Sequence, residues 1–224
     1  MIYYDIHTHK QAIHPEDITI LSVDIRKPSE IVSTNNQGYA VGVHPWYIDA
    51  KDPESAHLLF TKASQLALLP SVVAIGETGL DKKFAKSAKE FMIQQEIFIE
   101  HVHLSGEVKK PLIIHCVKAW NDLLRIHRSV QPTIPWIIHG FRGKETLATQ
   151  LLNAGFYLSF GPRYHAEALK AAWLKRRLFL ETDDNDIDIR NVYQQVANKL
   201  SIPLQALSEQ IEKIIFNFQF SIFN

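Results

Sequence analysis

The sequence predicts an α/β protein of the (β/α)8 TIM-barrel class, trimmed between its first strands. Three observations carry this expectation. Eight short apolar runs recur along the 224 residues, longer segments of helical spacing separate most of them, and the first connection has no room for a helix. Short buried runs alternating with helices imply a parallel sheet covered by helices. A closed barrel of this kind typically takes about 250 residues, so the chain is slightly short for one. An open doubly wound sheet is the competing architecture.

The runs are Ile2–His9, Thr19–Ile25, Tyr39–His44, Val72–Glu77, Pro111–Cys116, Trp136–His139, Phe156–Phe160 and Arg177–Asp183. Each is four to eight residues long and rich in Ile, Val, Leu and aromatics, as buried parallel strands are. Only nine residues separate His9 from Thr19, with Pro15 among them, which leaves no space for a helix. The next connection, 26–38, is polar and irregular. From there the alternation becomes regular. Helical patterns cover Glu54–Leu69 after Pro53, Ser87–Val108, Ala119–Ser129, Lys144–Asn153, Ala166–Leu174, Ile189–Leu200 and Leu204–Phe218 after Pro203. Proline suits a helix start, because its missing N–H would have no partner there.

Composition bounds the function. The chain is 46% hydrophobic and 21% charged, which excludes a disordered or fibrous protein and supplies a large core. It shows no low-complexity tract, long linker or composition break, so one domain over 1–224 is expected. Twenty-four basic and twenty-four acidic residues give zero formal charge. A grip on many phosphates of long nucleic acid usually needs a basic excess, so such binding would have to come from a local patch. One cysteine, Cys116, excludes an internal disulfide and a thiolate-cluster metal site. No signal-peptide pattern opens the sequence and no stretch has 18 consecutive apolar residues. A cytoplasmic protein with no membrane association and no obligatory protein partner is the expectation.

The eleven histidines are the informative feature. Residues i and i+2 of a strand share a face, so Asp5, His7 and His9 line one side of the first run. Two imidazoles spaced this way converge on a metal ion. Later runs end in donors too: Val73-Ala-Ile-Gly-Glu77, Pro111-Leu-Ile-Ile-His115, Trp136-Ile-Ile-His139 and Leu178-Phe-Leu-Glu-Thr-Asp183. In a barrel, the C-terminal strand ends gather where active sites are found. His7, His9, Glu77, His115, His139 and Asp183 are more ligands than one zinc needs. Two divalent ions, about 3.5–4 Å apart with a bridging carboxylate, account for the surplus. Nitrogen and oxygen donors without sulfur suit Zn²⁺, Mn²⁺ or Fe²⁺, and a carboxylate-rich half could take Mg²⁺.

The blocks Asp5-Ile-His7-Thr-His9, Gly42-Val-His44-Pro45, Gly76-Glu77-Thr-Gly79-Leu80-Asp81, Ile114-His115-Cys116, His139-Gly-Phe141-x-Gly143 and Glu181-Thr182-Asp183 resemble the successive motifs of the TatD family. That family comprises metal-dependent deoxyribonucleases on an amidohydrolase-like barrel. The likeness runs in order along nearly the whole chain, through Asn217. It implies that His7 and His9 bind a first metal with Asp183, that Glu77 bridges, and that His115 and His139 bind a second. Asp183 would also orient or deprotonate the attacking water, and His44 would touch the substrate phosphate. Asp81 would support the loop after Glu77, and Glu181 would act as a partner behind the ligands.

The rim departs from the family. Val117-Lys118 replace an Arg-Asp pair, Gly140 and Arg142 replace Cys or Thr, and Asp184-Asn185-Asp186-Ile187 replace a Pro-Tyr-Leu stretch. Lys82-Lys83 stand in place of an aromatic pair. Among cations after strand ends, Arg142 and Arg163 are the better phosphate candidates, because guanidinium binds phosphate bidentately. Lys82, Lys83 and Lys118 read as solvated surface charges. Trp46 and Trp120 could stack on a base, but packing under the loops is the expected role of both. His57, His101, His103 and His127 fall in helical patterns, and Cys116 reads as a small buried hydrophobe.

The resulting expectation is a hydrolase with two divalent ions (Zn, Mg or Mn), cutting phosphodiesters of DNA at single-stranded or 3′ ends by attack of a metal-activated water. Asp183 and Glu77 would be catalytic, and His44, Arg142 and Arg163 would bind substrate. The alternatives are an amidohydrolase-type enzyme of a small ester or amide, and a binding barrel without turnover.

Overall fold

The computed structural model describes residues 1–28, 31–32 and 35–218. Its strands are β1 (Tyr4–Thr8), β2 (Ile18–Ser22), β3 (Gln37–Val41), β4 (Val72–Asp81), β5 (Leu112–Val117), β6 (Trp136–Ile138), β7 (Tyr157–Phe160) and β8 (Leu178–Leu180). They form one parallel sheet in strict chain order, β1 through β8. The chain just past β8 returns to β1 through a bridge from Asp183 to Thr8. A doubly wound sheet would reverse its strand order at a switch point. Sequential order is that of a (β/α)8 barrel, and this is the fold class.

The helices are α1 (Pro53–Leu66), α2 (Ala88–Val108), α3 (Trp120–Val130), α4 (Glu145–Ala154), α5 (Ala166–Leu174), α6 (Ile189–Leu200) and α7 (Leu204–Asn217). Among the described residues no helix joins β1 to β2, where the connection is short, or β2 to β3, where it is polar and irregular. Local chemistry sets the helix starts. Pro53 opens α1 behind Asp52, whose carboxylate accepts from the Ser55 N–H; Ser87 accepts from the Glu90 N–H at the start of α2.

Several boundaries shift by one to three residues from the sequence expectation, and that of β4 departs furthest. β4 does not stop at Glu77 but runs on to Asp81, buried throughout its ten residues. Its glycines permit this. A Cβ on Gly76 would stand 2.4 Å from the Ile113 carbonyl oxygen, and one on Gly79 would stand 1.9 Å from that of His115. Their φ values of +137° and +149° also disfavour any side chain. β4 can therefore lie against β5 along the stretch that carries the site.

By packing, the described residues form two compact units: one from 1–21, 35–38 and 137–218, the other from 22–28, 31–32 and 39–136. In the first, Ile6, Ile138, Leu158, Phe160, Leu180, Val192 and Ile211 are buried. Tyr193 ties it to β1: its hydroxyl donates to the Tyr4 carbonyl and accepts from the Tyr4 N–H. The second unit packs Val43, Ile48, Ala56, Ile93 and Ile97 together.

His101 belongs to this second core. Its Nε2 accepts from the Val43 N–H at 3.0 Å, and its Nδ1 meets the Ile97 carbonyl at 2.7 Å, so the proton sits on Nδ1. Burial lowers its pKa from 6.5 to about 4. Folded His101 binds a second proton less readily than unfolded His101. Its contribution is complete above pH 6.5 and is lost as pH falls from 6.5 toward about 4, by about 3 kcal/mol. Asp5, raised by burial to about 7, works in the opposite sense as pH rises from about 4 to 7. Comparing wild type with His101→Gln isolates the histidine. In urea titrations between pH 7 and pH 4.5, the stability difference between the two proteins should shrink on acidification. A difference that stays constant with pH would contradict a neutral His101.

Candidate metal centre

The first unit brings together five donors from the ends of three strands. His7 lies on β1 and His9 just beyond it; His139 follows β6; Glu181 and Asp183 follow β8. His7 is fully buried, and its ring centroid lies 5.0 Å from that of His9 and 4.3 Å from that of His139. His7 Nε2 and His9 Nε2 stand 3.8 and 3.7 Å from Asp183 Oδ1. These distances are too long for hydrogen bonds. They approach the edge of a ligand tetrahedron with bonds of about 2.0–2.1 Å, roughly 3.4 Å. His7, His9 and Asp183 form one group able to hold an ion, and His139, Glu181 and Asp183 form another.

Asp183 reaches this position through its backbone. Its φ is +53°, in the left-handed region that Asp tolerates better than most residues. Its N–H donates to the His7 carbonyl at 3.0 Å, and the preceding Thr182 is clamped by Asp5. Thr182 donates to Asp5 twice, from its N–H at 3.0 Å and its hydroxyl at 2.6 Å. Burial is the main cause raising the Asp5 pKa, and the Thr182 hydrogen bonds partly offset it. The sequence reading missed this clamp. The available signal was an acidic residue inside an apolar strand, which needs a partner.

Glu181 tests whether the donors suit a cation. It is fully buried, its Oε1 accepts from the Gly140 N–H at 2.6 Å, and its Oε2 makes no hydrogen bond. A buried carboxylate oxygen without a hydrogen bond is costly unless a positive charge lies near. Together with three imidazoles and Asp183, this donor set fits a divalent metal that prefers nitrogen and oxygen ligands.

The second unit assembles His44, Glu77, Asp81 and His115. His44 precedes a single 3-10 turn, Pro45–Tyr47, while Glu77 and Asp81 lie on β4 and His115 on β5. Glu77 Oε1 is 3.0 Å from both His44 Nε2 and His115 Nδ1. These three residues form a further group able to hold an ion. The other nitrogen of His115 meets Asp81 Oδ2 at 3.1 Å, the outer-carboxylate arrangement that orients metal-binding histidines. Burial pushes the Asp81 pKa up, but hydrogen bonds from His115, Trp46 and the Phe84 N–H outweigh it and hold the carboxyl far below its ordinary range. Asp81 supports the following loop as expected, its Oδ1 accepting from the Lys83 and Phe84 N–H groups.

His44 is better placed to donate than to ligate. Its Nδ1 accepts from the Trp46 N–H at 3.1 Å, which puts the ring proton on Nε2. That N–H points at Glu77.

The rim differs in part from expectation. Arg142 and Arg163 are exposed, and Lys82 is paired with Asp122. Trp46 is 53% exposed rather than packed beneath a loop, because its Nε1 is drawn to Asp81 at 2.8 Å and its ring rests on Phe84. Of the other histidines, His14 pairs with Asp188 and His57 with Glu100. Cys116 is buried, and burial pushes its thiol pKa up.

A (β/α)8 barrel whose strand ends carry histidine–carboxylate groups able to hold a metal ion defines the class. The family model described as TatD related DNase matches residues 17–219, so the chain belongs to the TatD family. His7 and His9 lie outside the matched range and rest on the geometry above. The uncharacterized metal-dependent hydrolase YabD of Bacillus subtilis is 34% identical over 75% of this chain and 68% of its own. Its counterpart YcfH of Escherichia coli K12 is 37% identical over 56% of this chain and 45% of its own. A 3′-5′ ssDNA/RNA exonuclease TatD of Erwinia billingiae is 33% identical over 59% and 49% of the two chains. The chain thus spans about half the length of most of these relatives. Among solved structures, the TatD homolog YJJV of Escherichia coli matches with a TM-score of 0.77 at 17% identity, covering 99% of this chain and 98% of that one. A TatD family hydrolase of Entamoeba histolytica gives a TM-score of 0.73 at 19% identity, over 98% of each chain. No helix among the described residues is long and apolar enough to cross a membrane.

Proposed function

We propose that the protein is a metal-dependent hydrolase that cuts phosphodiester bonds of DNA, working from single-stranded or frayed 3′ ends. The observation that carries this reading is the His7–His9–Asp183 set, three donors at ligand spacing rather than hydrogen-bond spacing. The exonuclease name of the Erwinia relative supports the choice of substrate. His7, His9, Glu77, His115, His139 and Asp183 would serve two divalent ions. When bound, such ions acidify water and offset charge on phosphoryl oxygens.

The chain's own residues supply the rest. Asp183 accepts the proton of the attacking water, as a positioned general base. His44 donates its Nε2 proton in a hydrogen bond to a phosphate oxygen and so fixes the phosphorus for attack. Asp81 holds the His115 ring at the outer nitrogen. Exposed Arg142 and Arg163 bind flanking phosphates bidentately.

The test is metal-loaded protein with end-labelled single-stranded DNA in Mg²⁺, Mn²⁺ or Zn²⁺. Progressive shortening that stops on chelation, with about two ions per chain by elemental analysis, is the expected result. Shortening that survives chelation would sink the reading. Turnover of small esters or amides with intact DNA would replace phosphorus by a carbon electrophile.

A further inference from the structure

Beside the His44–Glu77–His115 group stands a feature that metal binding does not explain. Trp46 stacks on Phe84 with ring centroids 5.3 Å apart and planes 20° from parallel. Asp81 fixes both partners: its Oδ2 accepts from Trp46 Nε1 at 2.8 Å and its Oδ1 from the Phe84 N–H at 2.9 Å. The indole therefore has one face and its polar edge engaged, yet 53% of the residue is exposed. Single exposed aromatics are ordinary on protein surfaces. A tryptophan locked by the same carboxylate that orients a site histidine is not a stray surface residue. Its ring lies 4.9 Å from that of His44 and 5.9 Å from that of His115.

The loop behind the pair, Lys82-Lys83-Phe84-Ala85-Lys86-Ser87, carries three lysines and no acid. Lys82 is held by Asp122, whereas Lys83 and Lys86 are exposed, and Lys86 Nζ sits 5.8 Å above the Phe84 ring. A rigid aromatic surface interleaved with cations, next to a donor group proposed to act on phosphodiesters, is an arrangement suited to single-stranded nucleic acid. Every base offers a face to stack, and the cations track the backbone.

We propose that the Trp46–Phe84 pair is a stacking subsite for a nucleobase of the strand whose phosphodiester is hydrolysed at the neighbouring donor group. The inference rests on the phosphodiesterase reading and adds to it how the strand is gripped: by the face of a base, without preference among the four.

The test compares a short single strand with an abasic strand of equal length, both with uncleavable phosphorothioate linkages for binding and normal linkages for hydrolysis. Wild-type protein should bind the base-bearing strand about 10-fold or more tighter, the scale of one stacked base. Trp46→Ala should bring that ratio close to one. Trp46→Phe, which keeps a ring but lacks the N–H to Asp81, should retain most of the preference. A purely structural role would make the two variants fail alike and would weaken the abasic strand equally; that result overturns the subsite. So does a wild-type ratio of one. The two readings fail separately. A base preference lost in Trp46→Ala with neither strand cut removes the nuclease and keeps the subsite. Equal cutting of both strands at equal KM removes the subsite and keeps the nuclease.

Discussion

Asp183→Asn should reduce hydrolysis by about 10³-fold or more, the scale of losing a general base together with a metal contact. Bound metal should also fall below wild-type stoichiometry. The substitution is chosen so that the fold survives it. Asp183 sits at φ +53°, and Asn tolerates that region as well as Asp does. Its backbone anchors, the N–H to His7 and the bridge to Thr8, do not involve the side chain. What changes is the charge that faces His7 and His9 at 3.8 and 3.7 Å. The melting temperature of the metal-free protein should therefore hold while activity and metal content drop. Retained metal with retained hydrolysis would remove Asp183 from the site. His7→Ala and His139→Ala should lower metal content as well, and unchanged stoichiometry in both would refute the ligand assignment.

The strands were legible because each run is short, apolar and rich in β-branched and aromatic residues, with helical spacing between most of them. Donors at the ends of those runs were legible for the same reason: Glu77, His115 and His139 interrupt sequences that otherwise exclude polar groups. Illegible were the features that depend on a distant partner. β4 continues past Glu77 because Asp81 finds Trp46, His115 and two loop amides, none of which its local pattern announces. Asp5 looked like a third inward donor, yet it grips Thr182, 177 positions away. The ring-proton position of His44 is equally invisible in the sequence, because the Trp46 N–H that sets it is placed by the fold. Trp46 was expected to be packed, because hydrophobicity favours burial; a hydrogen bond at one edge keeps it at the surface instead.

Gly79→Ala should cost about 4 kcal/mol and disable the centre from a position that carries no donor. The added methyl would stand 1.9 Å from the His115 carbonyl oxygen and 3.0 Å or less from the His115 carbonyl carbon and nitrogen. All three are backbone atoms of a buried strand, so they cannot swing aside as a side chain would. Alanine at φ +149° adds conformational strain of about 1–3 kcal/mol, and overpacking typically adds as much again. At about 2–4 °C per kcal/mol for a chain of this size, melting should fall by about 10 °C. The strand that must yield carries His115, so metal content should fall with stability. Gly106→Ala supplies the contrast. Gly106 lies within α2, where a new Cβ meets nothing within 4 Å, and alanine there should stabilise by about 0.5–1 kcal/mol without altering metal content. Two identical substitutions should thus shift melting in opposite directions. An unshifted Gly79→Ala would mean that β4 does not need the close approach that places Glu77 against His115.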